Sequence, residues 1–177
     1  MDLRVVKTKK NIRAAFLALR AQQALEKVRV TRLCELALIN KTTFYKHYQD
    51  IYALSEEIEN ETIQSIMNSF ADMHALFVDP DGFIRGLYDA FKAHDEIITI
   101  LFSGRMDNLI DKIETHLTAH YPWISGTPEN EIVLSFLLWG AAHVLMEPRY
   151  DEAVLLDTST SVAKQVLSLF SRSRAGQ

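Results

Sequence analysis

The chain holds a single cysteine, Cys34, among 177 residues. No intramolecular disulfide can form, and a reducing cytoplasm is the expected setting. Glycine and proline are scarce, six and four. No Asn-Gly or Asp-Gly turn joins two alternating apolar runs, which argues against hairpins and sheets. Long apolar runs are lacking too: "IVLSFLLWGAAHVLM", 132–146, stops at 15 residues, short of the roughly 20 that span a bilayer. It reads as a buried helix covered on several sides, and no membrane partner is expected. The opening "MDLRVVKTKKNIRAAF" has no apolar segment behind its charges and does not read as a signal peptide. GxGxxG, GxSxG and HExxH are all missing, so neither an enzyme nor a bound cofactor is expected.

What is present is apolar and unevenly charged. Hydrophobic residues make up 48% of the chain, enough for one sizeable core or for a core with a small accessory domain. Net charge is −4, yet residues 1–50 carry eleven Lys and Arg against four acids, a net +7 that leaves −11 for the rest. A basic head on an acidic body suggests that the head meets a polyanion.

Helical spacing runs through nearly the whole sequence and predicts an all-α fold of about nine helices. A first helix is expected over 5–23, with Ile12, Phe16 and Leu19 on one face. Thr31 is the expected cap of a short second helix, with Glu35 near its positive end, and Asn40 the cap of a third over 42–48. Asp50 should open a long fourth helix with apolar residues at Ile51, Leu54, Ile58, Ile63, Ile66, Phe70, Met73 and Phe77, stopped by "DPDG" at 79–82. Further helices are expected at 83–93, 95–103, 105–121, 129–146 and 158–172. Pro148 should end the helix over 129–146, and the last helix, over 158–172, has the apolar stripe Val162, Val166, Leu169 and Phe170.

Two short helices joined by a few residues, the first largely apolar and the second basic and aromatic, have the shape of a helix-turn-helix. Lys41, Thr42 and Thr43 at the start of the second supply donors and a methyl for base edges, and exposed amides for phosphate. Tyr45 and His47 can donate to backbone oxygens, and Lys46 adds a charge. Thr31 completes the DNA-facing set, while Phe44 and Tyr48 pack back onto the preceding helices.

These residues resemble a known family. The first 54 residues look like the DNA-binding domain of TetR-family transcriptional regulators: "IRAAFLAL", then "VTRLCELALINKTTFYKHYQDIYAL", in which "TTFYKHY" matches the family's Thr-(Leu/Phe)-Tyr-x-(His/Tyr)-Phe signature. Two positions depart from the pattern. The glycine usual in the turn is Leu38, and the lysine usual after the aspartate is Ile51. The resemblance implies a DNA-binding domain over 1–50 and a helical sensing and dimerising domain over 51–177. It also implies a cytoplasmic homodimer on double-stranded operator DNA, and repression relieved when a small molecule changes the separation of two reading heads. Some relatives activate instead, or answer to a protein partner.

The body offers candidates for the signal. Tyr88, Phe91, Phe102, Phe136, Trp139 and His143 are more aromatic and polar surface than thin helices need, and could line a cavity for a small organic ligand. A filled core, or for Trp139 and His143 a dimer contact, would use the same residues. His116 and His120 stand one helical turn apart, but no third ligand of known spacing accompanies them, so no metal site is expected. Cys34 reads as a small apolar filler. An all-helical interaction adaptor remains the rival from another class; it would show no salt-dependent affinity for DNA.

Overall fold

The computed structural model describes residues 3–69, 73–124, 126–145 and 149–174, the side chains of 169–174 excepted. Among the described residues the chain is helical throughout, with ten α-helices and no strand. They are α1 (Leu3–Arg20), α2 (Val30–Ala37), α3 (Lys41–His47), α4 (Ile51–Met67), α5 (Ala75–Val78), α6 (Pro80–Ala93), α7 (Asp95–Phe102), α8 (Met106–His120), α9 (Pro128–Leu145) and α10 (Glu152–Arg174). Two compact units form, Met1–Thr62 with Glu96–Ser103, and Ile63–Asp95 with Gly104–Gln177. The first unit thus includes most of α4 and most of α7.

In the first unit α2 packs on both α1 and α3. Ile12, Phe16, Leu33, Phe44, Leu54 and Leu101 are fully buried there. Buried Arg20 donates to the carbonyls of Gln23 at 2.7 Å and Leu101 at 3.1 Å, which fastens the end of α1 to α7. The second unit is built on Phe83, Ile84 and Tyr88 of α6 against Leu155, Leu156, Ala163 and Leu167 of α10. In that unit α9 packs against α8 and α10.

Several boundaries differ from the sequence expectation, each for a local reason. α1 stops at Arg20 because the amides of Gln22 and Gln23 both turn back to the Leu19 carbonyl, at 3.1 Å each. Thr31 is already inside α2; extended Arg29 occupies the cap position without a side-chain bond. Glu35 then lies towards the end of α2, paired with Arg32 at 2.8 Å. The fourth helix ends at Met67, so Phe77 belongs to the separate α5 and Met73 to a turn, while Phe70 lies outside the described residues. "DPDG" opens a helix: the Asp79 carboxylate accepts from the Gly82 amide at 3.0 Å and Pro80 fills the first position. α10 begins six residues early because Asp151 Oδ1 accepts from the amides of Ala153 and Val154, at 3.0 and 3.3 Å. Met146 and Pro148, and the side chains of Leu169 and Phe170, lie outside the described residues.

α9 is not covered on several sides. Only Leu134 and Ala142 are buried in it, whereas Ile132, Phe136 and Trp139 are 60%, 78% and 46% exposed. Within the second unit, α8 and α10 cover one side of a helix that is apolar all round.

Candidate nucleic-acid interface

α2 ends in a tight turn. Leu38 takes the left-handed conformation (φ 56°, ψ 44°), and its amide reaches the carbonyls of Cys34 and Glu35. Among the described residues it is the one non-glycine residue with positive φ, and its side chain is 88% exposed. An L-residue is strained there by about 1–2 kcal/mol, and an exposed side chain returns little of it. Leu38→Gly is expected to raise stability by about 0.5–1 kcal/mol, the strain relieved less the extra backbone entropy that glycine loses on folding. Urea unfolding measures it, and a loss of stability would show that the leucine side chain holds the turn.

Asn40 then caps α3, its Oδ1 accepting from the Thr43 amide at 2.8 Å and the Thr43 hydroxyl at 2.9 Å. Both groups of Thr43 are thereby engaged within the chain. Of the remaining candidates, Thr31, Lys41, Thr42, Tyr45 and Lys46 are exposed, and Thr43 and His47 half-buried. Phe44 and Tyr48 are buried, with ring centres 5.8 Å apart, and the Tyr45 ring meets Phe44 edge-on at 5.4 Å. Alternation of anchors and exposed polar groups thus gives α3 one face inward and one outward. Ile51, where a lysine was the family pattern, is buried at the start of α4.

Sequence reasoning missed a second layer behind this face. Tyr48 donates its hydroxyl to Glu57 at 2.7 Å, Lys9 reaches both oxygens of the same carboxylate at 3.1 Å, and Arg13 pairs with Glu61. Lys9 also lies over the Tyr48 ring, 5.4 Å from its centre. The signal was present as two parallel i,i+4 pairs, Lys9 with Arg13 on α1 and Glu57 with Glu61 on α4. Burial and the carboxylate of Glu57 push the Tyr48 phenol far above its ordinary range. For Glu57 burial acts upwards, but the Tyr48 hydroxyl and Lys9 outweigh it and hold the carboxyl below its usual 4.5. A depressed carboxyl stabilises the fold above its unfolded value and loses that contribution as pH falls through the folded one. Stability should therefore fall below about pH 4.5, and Glu57→Gln should flatten that acid limb in thermal melts; an unchanged limb would assign it to other carboxyls.

Cys34 is buried in α2, and burial, only partly offset by Lys41, pushes its thiol up. The His116 and His120 rings stack at 4.1 Å, with His120 Nδ1 bonded to the His116 carbonyl at 2.8 Å. Burial and the neighbouring His120 lower the His116 pKa. Among the described residues no group of three or more His, Cys, Asp or Glu gathers to hold a metal.

The six candidate ligand residues do not converge. Phe102 is buried in the first unit. Tyr88, buried in the second, donates to Glu152 at 3.2 Å. Phe91 lines an apolar cavity of about 110 Å³ in the second unit, whereas Phe136 borders a surface groove of about 410 Å³ between α9 and α10. Trp139 and His143 are exposed on α9 and line neither. The cavity is made chiefly by aliphatic residues that composition alone does not mark. Comparison with protein-family models, curated proteins and solved structures finds no match to this chain.

Proposed function

We propose that the chain is a sequence-specific DNA-binding transcriptional regulator resembling the TetR family, acting as a homodimer and released from DNA by a small molecule. In this reading α1–α3 form a helix-turn-helix domain with α3 as the reading helix, and the helices beyond form the sensing and dimerising body. The observation that carries it is the division of α3. Phe44 is held in the core while Lys41, Thr42, Tyr45 and Lys46 stand in solvent, so polar and cationic groups are offered together on a short, anchored helix. The basic balance of residues 1–50 supports the same reading.

The apolar face of α9 supports the dimer. Ile132, Phe136 and Trp139 recur at helical spacing, and Val154 and Val162 of α10 are exposed as well. A second copy would cover them by placing α9 and α10 of both chains in a four-helix interface, in the size range of about 2,000 Å² typical of obligate dimers. Two-fold symmetry then asks for a near-palindromic operator.

Selection from random DNA followed by fluorescence anisotropy tests the reading. Affinity should fall steeply with salt, and Lys46→Ala should weaken all sequences alike and reduce the salt slope by about one. A folded protein that shows no salt-dependent affinity for any duplex would favour the adaptor reading instead.

A further inference from the structure

The cavity in the second unit is chemically one-sided. Every residue lining it is Leu, Ile, Phe, Met or Ala, contributed by α4, α5, α6, α8, α9, α10 and the turn at Met73. Tyr88 does not line it, and its hydroxyl is engaged by Glu152, which does not line it either. A charged or hydrogen-bonding group placed inside would give up its water with nothing in exchange. At about 110 Å³ the space is a little smaller than the roughly 150 Å³ apolar cavity that stays dry and accepts benzene. Met67 and Met73 border it, and their unbranched side chains can shift to fit a guest.

We propose that this cavity binds the apolar part of an alkyl or alkylaryl compound, a chain of about six carbons or a single ring, with any polar group left at the opening. The inference rests on reading the helical body as a small-molecule sensor, and names the class of molecule sensed.

The test uses the full chain with 1-hexanol and 1,6-hexanediol as probes, followed through the ¹³C-labelled methyls of Met67 and Met73. Hexanol should shift both methyls saturably and bind at least tenfold more tightly than the diol, whose second hydroxyl would be buried without a partner. Ala142→Leu, which fills the cavity, should abolish the shifts in a protein that circular dichroism shows to be folded. Leu138→Ala, which enlarges it, should move the preference from hexanol to 1-octanol and serves if the filled variant does not fold. Equal affinity for the two alcohols, no saturable shift, or undiminished binding by folded Ala142→Leu overturns the site. DNA affinity that stays constant while hexanol is bound leaves the site standing and overturns the release mechanism; absence of DNA binding both with and without hexanol, in a protein that still binds hexanol, overturns the DNA reading alone.

Discussion

Phe44→Ala is expected to lower the stability of the first unit by about 3–5 kcal/mol and to abolish any binding that depends on α3. The size follows from how α3 is held. At seven residues it is well under the roughly 12–15 that let an isolated helix persist in water. Its Asn40 cap secures one end, but Phe44 is the one residue of the helix that is buried, and it is completely so. Truncating the ring leaves a cavity between α3 and the core and removes the edge contact with Tyr45 and the tilted contact with Tyr48. Phe44→Leu keeps most of the volume and should cost less than about 1.5 kcal/mol. Urea unfolding of both variants gives the comparison, and a loss below about 1 kcal/mol for the alanine would mean that α3 is held by something other than this ring.

Phe136→Asp is expected to weaken self-association by about 30- to 1,000-fold, the range of a buried aromatic hot spot worth about 2–4 kcal/mol. Phe136 is 78% exposed in the single chain, so the substitution removes little intramolecular packing and should change the stability of one chain by no more than about 0.5 kcal/mol. It borders the groove that Gly140, Val154 and Val162 also line. A ring from a second copy could enter that groove, and by symmetry would give its own groove in return. An aspartate there would bury an unpaired charge instead. Sedimentation at micromolar concentration decides: a wild-type monomer, or a variant that associates as well as wild type, removes the proposed interface.

The fold class was legible because helical periodicity is a property of short windows, and Asn40 and Asp50 were legible as caps for the same reason. Each bonds an amide three residues on, to Thr43 and Ala53, both at 2.8 Å, so only a few residues decide the outcome. Thr31 has the same chemistry but loses the role, since the chain arrives through a short 3-10 turn at Leu25–Lys27 and is helical already at Val30. The end of α4 was hidden by a period that resumes after it: the apolar spacing that runs from Ile51 to Ile66 in α4 is met again at Met73, in a turn, and at Phe77, in α5. Contacts such as Lys9 with Glu57 span 48 positions, and nothing local says that α1 will lie along α4. The candidate ligand residues failed to gather for a related reason. An aromatic residue is equally at home in a core, like Phe102, or on an open face, like Phe136, and only tertiary packing separates the two.

The turn at Leu38 bears on how rigidly α3 is presented. A glycine there would explore both halves of its conformational map, and a partner docking on α3 would have to freeze that motion at the moment of association. Leucine in the left-handed well has few alternatives that keep the Leu38 amide bonded to Cys34 and Glu35. Its strain is carried permanently by the folded chain, so less ordering is left for the docking step. The more stable Leu38→Gly protein should therefore associate through α3 with a less favourable entropy than wild type, a separation of folding from binding that calorimetry on the two proteins would resolve.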